Sequence, residues 1–113
     1  MLTEKDYCDY ETCVALKELG IPRRLIEYVI PEDRDRIHLW NAQKWLREEK
    51  NIIVRIIPIY DLSTPINGAT YTNEIVHWEV GYVEDTCIRD YDTYEEALLE
   101  GVREAIKILR EEK

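Results

Sequence analysis

Apolar residues recur along the chain at spacings that predict three amphipathic helices. Asp9 is placed to cap the first, over Tyr10–Leu19, and Gly20 supplies its left-handed end. The second is predicted over His38–Lys50, with one face carrying Leu39, Ala42, Trp45, Leu46 and Glu49. The first helix should bury Tyr10, Cys13, Val14, Leu16 and Leu19.

A capping box marks the start of the third helix. Thr93 at the N-cap and Glu96 three residues later can satisfy opening-turn amides. The apolar stripe that follows is Ala97, Leu98, Val102, Ala105, Ile106 and Leu109. Gly101 within it costs about 1 kcal/mol relative to Ala, so it indicates either a close approach to a sheet or a tolerated defect.

Segments rich in β-branched and aromatic residues lie between the helices. They predict strands at Leu25–Ile30, Ile52–Tyr60, Thr70–Val83 and Thr86–Tyr91. Pro58 should place its strand end at an edge or a bulge. In the third strand, the face predicted to be buried is Val76, Trp78, Val80 and Tyr82.

Two connections complete the predicted topology. Residues 31–36, PEDRDR, are expected to be a solvated link, and Glu84-Asp85 a tight turn. The elements predict an α+β fold in a single domain, residues 1–113, with the order α-β-α-β-β-β-α. Three helices would pack on a mainly antiparallel sheet of three to four strands.

Charge and hydropathy narrow the expected partners. The chain has 113 residues, with 24 Asp and Glu against 15 Lys and Arg, giving a net charge of −9. This charge repels a phosphate backbone and the basic residues are scattered, so we expect no nucleic-acid binding. The sequence has neither an apolar run of membrane-spanning length nor a secretory signal, so we expect no membrane contact and a cytoplasmic location.

Residue chemistry gives little sign of a catalytic or cofactor site. Known catalytic and phosphate-loop motifs are absent, and we expect neither a metal nor a cofactor. His77 and Glu79 share a strand face and are a weak acid/base candidate, although a half-exposed polar sheet face explains them more simply. Asp90, Asp92 and Glu95 offer oxygen ligands for a hard cation, but capping and solvation account for them better.

Trp40 falls outside the apolar stripe of the second helix, beside Lys44 and Arg47. Aromatic residues are enriched at the energetic centres of protein interfaces. These three residues therefore mark a possible interface, with incidental exposure of Trp40 as the alternative.

Three segments carry a family resemblance: YCDYETCVALKELG, AQKWLREEKNI and YDTYEEALLEGVREAIKIL. Together they resemble small uncharacterised proteins of bacteriophages and prophage-like elements of gut bacteria. A weaker similarity links YDTYEEALLEGVREAI to the helix of HicB-like antitoxins. The first resemblance implies origin and topology, and the second implies a helix that follows an antiparallel sheet.

These observations favour a non-enzymatic accessory or adaptor protein that acts by protein–protein contact, with a homodimer as one form. An antitoxin-like or DNA-mimicking inhibitor is the alternative from another binding class. A small hydrolase using His77 or a cysteine is a third hypothesis, which would need a pocket joining residues distant in sequence.

The cysteine count generates the first prediction. Cys8, Cys13 and Cys87 are an odd number in a chain without an export signal, so we expect reduced, ordinary thiols. After purification under argon, a thiol assay on the denatured protein should titrate three groups. Only one reactive thiol would contradict this.

Overall fold

The fold is α+β, as predicted, and its described residues form three α-helices and five strands. The computed structural model describes residues 4–30, 32, 34–60, 69–77, 82–85 and 91–111. The helices are α1 (Tyr10–Glu18), α2 (Leu39–Glu49) and α3 (Tyr94–Glu111). The strands are β1 (Glu27–Val29), β2 (Arg34–Arg36), β3 (Ile52–Tyr60), β4 (Ala69–His77) and β5 (Tyr82–Asp85).

The described strands form two separate antiparallel sheets, so the prediction of one sheet is wrong. β1 pairs with β2, while β3, β4 and β5 form the second sheet in that order. The segment expected to be a solvated link contains β2, which places Arg36 opposite Glu27. Both strands of this hairpin are three residues long, and β2 consists only of charged residues, so β2 carries no apolar alternation that would predict a strand.

The second sheet reverses direction earlier than predicted. His77 at the end of β4 pairs with Tyr82 at the start of β5, so Thr70–Val83 is not one strand. Glu84 and Asp85, the expected turn, are paired in β5. Of the predicted last strand, residues 86–90 lie outside the described residues, and Tyr91 forms a bridge with Tyr71.

The face of β4 that packs in the core is the opposite of the predicted one. Ile75 is fully buried and Asn73 is 2% exposed, whereas Val76 is half-buried. Trp78 and Val80, also assigned to the inner face, lie outside the described residues. Thr72 and Asn73 are adjacent and are both buried, at 1% and 2% exposure, so a simple alternation of buried and exposed residues does not hold in this part of β4.

Helix α3 lies unusually close to this sheet at Gly101. A Cβ built on Gly101 would lie 2.4 Å from Val54 Cγ1 and 3.4 Å from Asn73 Cβ. The buried Asn73 side chain donates from Nδ2 to the Ala97 carbonyl of α3 at 3.1 Å. Gly101 therefore marks a close contact between helix and sheet, which confirms the first of the two interpretations of this glycine.

Both ends of α1 follow the predicted capping. Asp9 accepts from the Thr12 amide at 2.9 Å, and Gly20 has a φ of 98°. The amides of Gly20 and Ile21 close the last turn on the carbonyls of Lys17 and Leu16. Tyr10, however, is 77% exposed and does not belong to the core, while Thr12 and Ala15 are buried.

Helix α2 buries four of its five predicted core positions: Leu39, Ala42, Trp45 and Leu46. Glu49 is exposed.

The outer edge of β3 faces α2, where Gln43 donates from Nε2 to the carbonyl of Val54 at 2.7 Å. Backbone groups alternate direction along a strand, so Pro58 directs its nitrogen to the same side as Val54, away from β4. Because β3 is a terminal strand of this sheet, Pro58 costs no ladder hydrogen bond.

The contact at Gly101 predicts that Gly101→Ala destabilises the fold despite the better helix propensity of Ala. The added methyl should cost about 1–3 kcal/mol through overpacking against Val54. In a Val54→Ala background the same change should cost at least about 1 kcal/mol less, because the clashing methyl is gone. Chemical denaturation of the four proteins measures both values, and equal costs in the two backgrounds would contradict the account.

The N-cap of α3 is also testable. The Glu96 amide donates to Thr93 Oγ1 at 3.1 Å, as the capping box predicted. Thr93→Ala should lower the free energy of unfolding by about 1 kcal/mol, while Thr93→Ser, which keeps the acceptor, should stay within a few tenths. Equal losses in both variants would show that the hydroxyl does not cap the helix.

Candidate functional site

The amino-terminal segment is attached to the β1–β2 hairpin beside the start of α2. Tyr7 forms an antiparallel bridge with His38, and the Cys8 amide donates to the Ile37 carbonyl at 2.8 Å. Ile37 is fully buried and holds this junction against the core. Because side chains alternate along an extended chain, Arg36 and His38 lie on one face.

Four side chains on that face stack into what we call the aromatic column: Arg36, Tyr7, His38 and Trp40. The Arg36 guanidinium carbon lies 3.9 Å from the centroid of the Tyr7 ring. The Tyr7 and His38 centroids are 4.4 Å apart, and those of His38 and Trp40 are 4.6 Å apart with planes at 27°. These distances allow both cation–π and stacking attraction, so each ring restrains its neighbour.

Glu27 joins the column from β1. Its carboxylate accepts from Arg36 Nη2 at 3.0 Å and lies 3.2 Å from His38 Nε2. The hydrogen bond from Arg36 is the largest influence on the Glu27 pKa, which it lowers, and His38 contributes in the same direction. Burial raises the pKa of Tyr7, and the negative charge of Glu27 acts the same way against the opposing charge of Arg36.

The two ring nitrogens of His38 have different surroundings. His38 Nε2 faces Glu27, and His38 Nδ1 is buried without a hydrogen-bond partner in the described part of the chain. The Glu27 carboxylate therefore lies on the Nε2 side of the ring, whereas the Nδ1 side is closed to solvent. Tyr7 is 7% exposed, so its ring supports the column from within.

Trp40 is the end of the column that reaches solvent. Its side chain is 44% exposed although one face of the indole rests on His38. Lys44 and Arg47 follow at one-turn intervals on the same side of α2, and both are exposed. Lys44 has only a loose contact with Glu48 at 3.9 Å, and Arg47 makes no ion pair with any described residue.

The other residues singled out from sequence do not converge with the column. His77 ends β4, paired on one side with Ile52 and on the other with Tyr82, while Glu79 lies outside the described residues. Cys87 and Asp90 also lie outside them. Asp92 is exposed and Glu95 is half-buried. Among the residues the structure describes, no three His, Cys, Asp or Glu side chains are grouped to hold a metal ion.

Apart from the aromatic column, a groove lies between α1 and α3. The groove has a volume of about 400 Å³ and is lined in part by Arg103, Lys107 and Arg110. Arg103 pairs with Asp9 and with Glu100, and Arg110 pairs with Glu18 at 3.1 Å. Two of its three cations are therefore neutralised within the chain, and the groove has no clear ligand preference.

Comparison with known proteins adds no assignment: no family model, curated protein or solved structure matches the chain. None of the helices in the described ranges has the length and apolar character needed to cross a bilayer.

The sequence pattern singled out Trp40, the exposed end of the aromatic column, but not the residues that support it. Trp40, Lys44 and Arg47 were identified because they depart from the apolar stripe. Tyr7, Glu27, Arg36 and His38 come from three other segments, and β2 was not predicted. The available signal was the alternation of Arg36 and His38 on either side of an apolar Ile37, which is typical of a short extended segment.

The Glu27 contacts predict a titration that depends on Arg36. Carboxyl NMR should place the pKa of Glu27 below its ordinary value of 4.5 in the wild type and higher in Arg36→Gln. Because the folded-state pKa is lowered, the ion pair stabilises the fold above the unfolded-state pKa, and this contribution is lost as pH falls through the folded-state value. If Glu27 titrates at the same pH in both proteins, the ion pair between Glu27 and Arg36 is contradicted.

Proposed function

We propose that this protein is a non-enzymatic accessory or adaptor protein of bacteriophage or mobile-element type, which acts in the cytoplasm through protein–protein contact. Its contact surface is the exposed end of the aromatic column, Trp40, together with Lys44 and Arg47. The observation that carries the proposal is a solvent-exposed indole stacked at 4.6 Å on His38.

Stacking gives Trp40 an advantage as an anchor. A side chain ordered before binding loses less conformational entropy when a partner covers it. Tryptophan is also among the residues most enriched at the energetic centres of interfaces. Among the exposed aromatic residues that the structure describes, Tyr94 contacts Tyr71 only edge-on, with ring centroids 6.0 Å apart, whereas the indole of Trp40 is stacked on His38 at 4.6 Å.

Local charge indicates the chemistry of the partner. The chain carries a net charge of −9, yet the residues that follow Trp40 on this side of α2 are Lys44 and Arg47. A cationic rim beside an indole fits a protein surface with an apolar pocket bordered by carboxylates. A second copy of this acidic chain is the alternative occupant, which the experiment below distinguishes.

The antitoxin-like or DNA-mimicking alternative has less support. A mimic needs rows of uncompensated carboxylates to replace phosphates in a basic groove. Many described carboxylates instead pair with cations of this chain: Asp9, Glu18, Glu27, Asp35, Glu48, Glu74 and Glu100. The hydrolase hypothesis, with His77 or a cysteine as the reactive group, stays a prediction.

Trp40→Ala should weaken binding by about 10-fold or more, which corresponds to about 1.4 kcal/mol. Tyr94→Ala is the matched control, because Tyr94 is equally exposed at 44% but lies at the start of α3. A photo-crosslinker at position 44 should capture the partner only when Trp40 is present, and sedimentation distinguishes a second copy from another protein. Denaturation should show a loss of only about 0.5–1.5 kcal/mol, from the broken stack.

Unchanged binding by Trp40→Ala, or an equal loss in Tyr94→Ala, would contradict the proposed surface.

Charge reversal tests the contribution of the cations separately from that of the indole. Arg47→Glu should slow association, most strongly at low salt, whereas Lys107→Glu on α3 should have little effect.

A further inference from the structure

Cys8 and Cys13 occupy two positions that the start of α1 brings together. With Asp9 as N-cap, Cys8 is the residue before the cap and Cys13 is the fourth residue of the helix. Side chains at these positions pack against each other as a hydrophobic staple, which fixes the entry of the chain into the helix. In this protein both halves of the staple are thiols.

The contacts show how close the two residues are. Cys13 Sγ lies 3.7 Å from the Cys8 carbonyl oxygen, and both side chains belong to the core, at 6% and 3% exposure. Both are free cysteines. A hydrogen bond from the Cys8 thiol lowers the pKa of Cys13 to about 7 and raises the pKa of Cys8. Cys13 is therefore the more nucleophilic sulfur at neutral pH.

Cys8 is the member of the pair that borders open space. Cys8 lines an open groove of about 340 Å³ between the amino-terminal segment and the start of α3. Charged residues of both signs line the rest of this groove: Lys5, Arg34, Asp9, Glu95 and Glu96. Through this groove a small uncharged oxidant reaches Cys8, and Cys13 lies directly beside it, with its sulfur 3.7 Å from the Cys8 carbonyl oxygen.

We propose that Cys8 and Cys13 are a redox pair, which hydrogen peroxide converts to an intramolecular disulfide across the staple. The Cys13 thiolate attacks one peroxide oxygen, the O–O bond breaks, and Cys13 becomes a sulfenic acid as the leaving hydroxide takes a proton to form water. The Cys8 sulfur then attacks the Cys13 sulfur, the S–O bond breaks, and the Cys8 proton leaves with the hydroxyl as a second water. In total, two thiols and one peroxide give one disulfide and two waters.

Peptide mass analysis tests the proposal directly, because cleavage after Lys5 and Lys17 leaves both cysteines in one tryptic peptide, residues 6–17. The folded, reduced protein is treated with hydrogen peroxide, alkylated and digested. We expect this peptide to become two hydrogens lighter and to resist alkylation until dithiothreitol is added. A peptide that stays doubly alkylated, or that carries irreversibly oxidised sulfur, would overturn the proposal.

Single variants assign the role of each sulfur. Cys87→Ser should form the disulfide as the wild type does, since Cys87 takes no part. In Cys8→Ser, Cys13 should remain as a sulfenic acid that dimedone labels, and in Cys13→Ser the rate of oxidation should fall about 10-fold or more. Loss of the disulfide in Cys87→Ser would overturn the pairing, and the wild-type peptide result stands even if a serine variant fails to fold.

The rate of disulfide formation should also depend on pH in a specific way. It should rise with the thiolate fraction of Cys13 and reach half its maximum near pH 7, not near the ordinary cysteine value of 9.0. A half-maximum near pH 9 would show that neither thiol is activated by the other.

Discussion

The close contact between α3 and the larger sheet constrains the rest of the molecule. Gly101 lets the helix approach until Val54 and Asn73 fill the space that a side chain would occupy. Asn73 is buried there and satisfies its amide on the Ala97 carbonyl, so a polar residue on the inner face fixes the position of the helix along β4. The second helix then packs beside α3 on the edge strand β3, where Gln43 bonds to Val54.

This packing also determines where the aromatic column can form. Leu39, which is 1% exposed, anchors the first turn of α2 in the core, so the neighbouring Trp40 is directed outward. The hairpin and the amino-terminal segment meet at Ile37, and they bring Arg36, Tyr7 and His38 into line behind the indole. An exposed aromatic residue thus obtains its order from buried contacts on three separate segments.

The sequence predicted the parts of the fold that depend on local rules. The caps at Asp9 and Thr93 and the stripe of α2 depend on neighbours within one or two turns, and they appear as expected. The β1–β2 hairpin and the phase of β4 depend on which face a distant helix covers, and local patterns carry no such information. The same limit applies to the column, where only Trp40 stood out, because its supporting residues are joined by tertiary structure alone.

We propose that Trp40 is a contact residue that its stack on His38 orders before a partner binds. The most direct test is acrylamide quenching of Trp40 fluorescence as a function of partner concentration, in a protein whose other two tryptophans are replaced by Phe. We expect a half-shielded indole in the isolated protein, quenched less than a free tryptophan, and a further loss of quenching when the partner or a second copy binds. Full accessibility in the isolated protein, or quenching unchanged by binding, would contradict it.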